Sequence, residues 1–220
     1  FGGYGVYAVR NGIWENSGGG WSSPFPNNNN CNPARRTSHQ LILGDPNQNE
    51  VFIFSGQGSC TGSQFESSCS ISEPWATDVG TWCWLKDLYQ LDLDNYNFTN
   101  ILPVNEPTVQ NFGTITYDYT ESTFYFIGGY VPPAIYDGQF YNNTYFVPQL
   151  YKFQAGVDPG FVQITTVGNA PPDVLLNDLG GQQLFYDGIN DRLVWIRKDG
   201  VWSIDLCAPV TGIDQVAECG

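Results

Sequence analysis

The 220-residue sequence carries 22 Asp and Glu against 8 Lys and Arg, a formal charge of -14. That balance excludes the clustered cations that nucleic-acid binding requires, and it disfavours adsorption to an anionic membrane surface. An apolar share of 41% is ample for a globular core, yet no apolar run reaches the ~20 residues needed to cross a bilayer, so membrane insertion is not expected.

Strand signals run the length of the chain, and no helical period emerges. Short stretches rich in Val, Ile, Tyr, Phe, Trp and Thr alternate with Gly, Pro, Asn and Asp. Phe1-Gly-Gly-Tyr4 reads as the tail of a strand, followed by Gly5-Val-Tyr-Ala-Val9 and Gly12-Ile-Trp14. Residues 17–32 form a long connection. A hairpin is then predicted over 40–56, with Asp45-Pro-Asn-Gln-Asn49 as its turn. Asp and Asn in such turns bond their own backbone. A second long connection, 57–86, leads to Asp87-Leu-Tyr-Gln-Leu-Asp-Leu93 and to Asn97-Phe-Thr-Asn-Ile101.

The same series then returns. Residues 113–129 repeat the hairpin around Asp118-Tyr-Thr-Glu121, the connection 130–148 follows, and Gln149-Leu-Tyr-Lys-Phe153 precedes Gly160-Phe-Val-Gln-Ile164. The third copy turns at Asp187-Gly-Ile-Asn-Asp191, places Arg197-Lys198 where glycines stood before, and continues into Gly200-Val-Trp-Ser-Ile-Asp-Leu206. Labelled a to d, the strands read c-d, a-b-c-d, a-b-c-d, a-b-c. The dense aliphatic and aromatic residues of the c strands predict cover on both faces.

Self-similarity at a long fixed period marks a repeat architecture. Four antiparallel strands per unit, with Phe124-Tyr-Phe-Ile-Gly-Gly129 before Leu150-Tyr151 and Val51-Phe-Ile-Phe-Ser-Gly56 before Asp87-Leu-Tyr89, resemble the kelch repeat. The resemblance covers most of residues 1–206 and implies an all-β chain of β-propeller blades, about three and a half to four of them. A kelch blade takes ~50 residues, and the excess here falls in the connections. Closed propellers have ~4–8 blades, so the ring is expected to be finished by the short N-terminal strands, by sequence beyond this chain or by another copy. Residues 207–220 carry no blade pattern and read as a separate Cys-containing tail.

The six cysteines, Cys31, Cys60, Cys69, Cys83, Cys207 and Cys219, form no CxxC pair, and His39 is the lone histidine. Zinc sites need short-spaced Cys or His ligands, so disulfides are expected instead, and with them an oxidising compartment. Cys207 with Cys219, Cys60 with Cys69 and Cys31 with Cys83 is one pairing among those open. The sequons at Asn97 and Asn142 predict a secreted glycoprotein. The sequence holds no methionine, so Phe1 is expected to follow a removed leader or further chain.

Galactose oxidase-type enzymes share kelch-like blades and, by that resemblance, would hold copper with two histidines and two tyrosines. One histidine cannot assemble such a site. Nor does a lone His beside disulfide-bonded cysteines supply a nucleophile with its base. Asp92, Asp94, Asp118, Asp187 and Asp205 fall in turns or at strand ends, where turn capping accounts for them, and neither Asp92-Leu-Asp-Asn95 nor the Asp187 turn has EF-hand spacing. No cofactor or metal is expected, and no enzymatic activity. Trp75, Trp82, Trp84 and Tyr136 lie in the long connections and are the candidate ligand-loop aromatics. The expected function is an extracellular, non-enzymatic structural or interaction glycoprotein, contacting protein partners or copies of itself and assembling into an oligomer or filament. The alternatives are a glycan-binding propeller and a fragment of a larger kelch-containing enzyme.

Overall fold

A computed structural model describes the backbone of residues 3–4, 9–10, 13–16, 18–25, 39–59, 73–74, 82–101, 113–127, 130–131, 134–136, 139–141, 145–146, 149–166 and 182–206. Side chains are described for 16, 18–23, 39–56, 88–101, 113–127, 149–166 and 182–206. The chain is all-β, built from antiparallel sheets.

Two hairpins open it: β1 (Gly3–Tyr4) pairs with β2 (Val9–Arg10), and β3 (Ile13–Asn16) with β4 (Trp21–Phe25). The predicted c-d pair at the N-terminus is therefore replaced by two separate hairpins, and part of the expected 17–32 connection is strand. The first large sheet is the meander β5 (Gln40–Leu43), β6 (Glu50–Ser59), β8 (Trp82–Asp92) and β9 (Phe98–Asn100), with β7 (Glu73–Pro74) added at the far end of β8. The second repeats the order with β10 (Thr114–Asp118) and β11 (Thr123–Ile127), then β16 (Leu150–Gln154) and β17 (Val162–Ile164). Between them the chain makes two nested ladders, β12 (Tyr130–Val131) with β15 (Tyr145–Phe146), and β13 (Ala134–Tyr136) with β14 (Gln139–Tyr141). The third sheet is β18 (Gln183–Asp187), β19 (Arg192–Arg197) and β20 (Gly200–Asp205). The predicted series a-b-c-d, a-b-c-d, a-b-c over residues 40–206 is present, with β7 and the ladders β12–β15 and β13–β14 added in segments expected to be connections.

Registers explain how the sheets stack. Leu41, Ile53 and Tyr89 lie across from one another in one row, Ile115, Phe126 and Tyr151 in the equivalent row of the second sheet, and Leu184, Trp195 and Trp202 in that of the third. Successive side chains along a strand point to opposite faces. One face of the first sheet (Ile42, Phe52, Phe54, Leu88) therefore meets the opposite-parity face of the second (Ile115, Phe124, Phe126, Phe153). The second sheet's other face (Tyr125, Ile127, Leu150) meets Leu184, Leu193 and Trp195 of the third. Both interfaces use the same pair of face types. β11 is the middle layer, and all five of its residues are buried.

The inner strands run side by side. Thr114 Oγ1 in β10 accepts the Leu184 N–H of β18 at 2.9 Å, a buried bond between two sheets. Phe52 meets Phe124 edge-on at 4.9 Å, and Phe54 meets Phe126 at 5.3 Å, geometries that aromatic quadrupoles favour. Among the described residues the series does not close into a ring.

Candidate interaction surface

A meander sends its a-b and c-d turns to one end and its b-c and d-a connections to the other. The turn ends of neighbouring sheets coincide. The Tyr117 hydroxyl is pushed up by burial and by the carboxylates of Glu50 and Asp45 from the sheet before it. Burial and the neighbouring Asp118 do the same to Tyr186 across the next interface. This end is acidic and self-satisfied. Asp45, Asp118 and Asp187 each accept a backbone N–H two residues on, from Asn47 at 2.8 Å, Thr120 at 2.9 Å and Ile189 at 3.3 Å. Asp92 accepts the Asp94 N–H at 2.8 Å, and Asp158 accepts that of Gln154 at 2.8 Å.

Each hairpin then enters its b strand through a left-handed residue, Asn49, Ser122 or Asp191, at φ 50, 54 and 46. Asn and Asp tolerate that conformation better than most side chains. Turn capping thus accounts for Asp45, Asp92, Asp118, Asp158 and Asp187, whereas Asp94 accepts the Asn49 side-chain amide instead and Asp205 ends β20. Among the described residues no group of three or more His, Cys, Asp or Glu could hold a metal ion.

The opposite end receives the long connections. Trp82 and Trp84 are not loop residues: β6 continues past the first core to Ser59, paired with Trp82, and Gln57 pairs with Trp84. Tyr136 likewise ends β13, paired with Gln139. Local pairing of short strands overrode the loop reading, which rested on Gly and Pro content. Trp75, Cys31, Cys60, Cys69, Cys207, Cys219, Asn142 and the tail 207–220 lie outside the described residues. Cys83 falls in β8, and its side chain is outside them too. Asn97 is exposed in the turn before β9, and His39 immediately precedes β5.

The third sheet departs from the other two at the position of its missing glycines. Arg197, buried, replaces them. Its Nε and Nη2 donate to the two carboxylate oxygens of Asp199 at 2.8 Å each, and its guanidinium lies 4.8 Å from the Trp195 ring centre and 6.0 Å from that of Trp202. A bidentate pair with cation–π support is a strong way to bury an arginine. Arg197 pairs directly with Gly200, so Lys198 and Asp199 form a tight b-c turn in place of a long connection. Gly200, at φ 155, takes a conformation that side chains disfavour.

What further distinguishes this sheet is its outer face. Phe185, Ile196 and Val201 are 49%, 40% and 68% exposed, and Val194 beside them is only half-buried. These residues are the positional equivalents of Thr116, Ile127, Leu150 and Tyr125, which are buried in the second sheet. The expectation that the last c strand is covered on both faces is corrected: β20 turns Trp202 and Ile204 toward the core and leaves Val201 in solvent. At the other end of the stack Leu41 and Leu43 of β5 are also open. Apolar residues at both parities of β18 and β19 were the sequence signal for this second apolar face. No known protein family matches the chain, and no curated protein does.

Proposed function

We propose that the chain is an extracellular, non-enzymatic structural and interaction glycoprotein, in which kelch-like blades present apolar faces and stapled connections to protein partners, including copies of itself. The observation that carries this reading is the uncovered apolar face of the third sheet, beside two internal interfaces made from the same face type. Large contiguous apolar surfaces on soluble proteins mark interaction sites. The turn end supports it from the other side, because Asp45, Asp92, Asp118, Asp158 and Asp187 are engaged in capping backbone N–H groups. The even cysteine number, the two sequons and the scarcity of Lys favour an oxidising, extracellular setting.

The test is mass and shape in solution, by light scattering with electron microscopy of the same native sample. The expected outcome is a discrete oligomer or a filament. A compact monomer near the 24.4 kDa chain mass plus glycan, with no partner recruited from its own secretions, would sink the reading.

A further inference from the structure

We propose that Asn97 carries an N-linked oligosaccharide, and that this glycan makes the turn end of the first sheet a solvent-facing end that partners do not contact. The inference rests on the reading of the chain as an extracellular glycoprotein; it names where one glycan sits and what it does there.

The sequence offers Asn97-Phe98-Thr99 as a sequon. The structure adds which asparagine amides are at liberty to react. In the other turns of this end they are committed to caps. Asn47 Nδ2 donates to Asp45 at 3.0 Å, Asn49 Nδ2 to Asp94 at 2.5 Å, Asn95 Nδ2 to Asp92 at 2.5 Å and Asn190 Nδ2 to Asp187 at 2.8 Å. Asn97 joins its turn through its backbone alone. Its N–H donates to Asn95 Oδ1 at 2.8 Å, and its carbonyl accepts the Asp92 N–H at 3.0 Å. Among the described residues its side-chain amide has no hydrogen-bond partner, and the residue is exposed.

The rest of the sequon is presented in the same way. Thr99 is exposed, opposite Gln90 in the register of β8 with β9. Phe98 points to the other face of the strand, where its ring meets that of Tyr89 edge-on at 6.3 Å. The aromatic residue thus fixes the start of β9 while its two polar neighbours face solvent.

In the transfer step Asn97 Nδ2 attacks the anomeric carbon of a lipid-diphosphate-linked oligosaccharide. The C–N bond forms and the anomeric C–O bond breaks. The lipid diphosphate leaves with that electron pair, and a base of the transferase takes the amide proton. The folded chain accommodates the product because the Asn97 amide gives up no bond of the turn. An N-linked glycan is bulky and hydrophilic. This one would start beside the Asp92 cap, with the second sheet between it and the exposed apolar residues of the third.

The test uses the chain secreted from a glycosylating eukaryotic cell. Release of glycans by an amidase in heavy-oxygen water turns each glycan-bearing Asn into labelled Asp, and peptide mapping is expected to find the label at position 97. Thr99→Ser should keep that label. Thr99→Ala and Asn97→Gln should abolish it while leaving the thermal transition unchanged. Asn95→Ala, which breaks the cap, should lower the transition with Asn97 still labelled. A secreted chain labelled at Asn142 and not at Asn97 overturns this inference alone; label at neither position overturns the glycoprotein reading with it. Light scattering tests the second half. Asn97→Gln is expected to hold the same number of chains per particle as the unaltered protein, its mass differing by the lost glycan alone. A changed number of chains would mean that partners do contact the turn end. A monomer in both forms would sink the self-association reading, with the uncovered turn end still recruiting no copy.

Discussion

Tyr125 and Tyr186 sit at the second internal interface with rings stacked 6.2 Å apart. The Tyr186 hydroxyl donates to Asp191 at 3.1 Å. Burial, with the charges of Asp118, Glu121 and Asp191 behind it, pushes the Tyr125 hydroxyl up to about 12, and burial with Asp118 pushes Tyr186 up as well. The consequence is a stability that depends on alkaline pH. An unfolded tyrosine ionises near pH ~10. Above that value the unfolded chain releases a proton that the folded chain still holds, so the contribution is whole below ~10 and is lost as pH climbs through the folded value. For Tyr125 alone the loss approaches about 2 kcal/mol. Urea unfolding between pH ~9 and ~11.5 should show the midpoint fall, and Tyr125→Phe should flatten the fall. An identical slope in the variant would mean that the hydroxyl titrates freely. At this scale the sequence was partly legible. Asp45, Asp118 and Asp187 announced themselves as turn caps because an Asx turn is written within three residues. The tyrosine–carboxylate cluster was not legible, because Asp118 and Tyr186 come together only through stacking.

β11 is the element on which the stack depends. Phe124 packs between Phe52 of the first sheet at 4.9 Å and Phe153 of its own at 6.0 Å, with Tyr117 at 4.5 Å. One residue along, Tyr125 belongs to the other interface. Truncating a buried Phe of this kind to Ala costs about 3–5 kcal/mol through lost transfer energy and the cavity left behind. Phe124→Ala is therefore expected to lower the denaturation midpoint sharply, while Val162→Ala, on an exposed position of β17, should change stability by less than ~0.5 kcal/mol. Equal effects would mean that the sheets do not unfold as one body. The hairpins were readable because a run such as Thr123-Phe-Tyr-Phe-Ile127, bounded by turn residues, is too short and too β-branched and aromatic for a buried helix. The ladders β12–β15 and β13–β14 escaped reading. Strands of two or three residues between Pro and Gly carry no period long enough to count, and their pairing is decided by the neighbouring chain.

At the scale of the whole molecule, the repeat count suggested an incomplete series, but nothing in the sequence says what meets the last face. That depends on rotation between sheets, which no residue encodes alone. Charge does constrain the answer. Two chains of formal charge -14 repel when they approach, and Arg192, the cation beside the exposed apolar residues of the third sheet, is already paired with Asp187. Screening shortens the reach of the repulsion from ~10 Å at 0.1 M salt to ~3 Å at 1 M. The apolar contact itself is not weakened by salt, and excluded anions such as sulfate strengthen it. Self-association through that apolar face should therefore tighten as NaCl rises from ~0.01 M to ~0.5 M, seen as a growing mass-average in light scattering at fixed protein concentration. A mass that shrinks over the same range would require ion pairs across the interface. Copies held by ion pairs would be joined through charged groups such as Arg192 and Asp205 and not through the apolar side chains of that face.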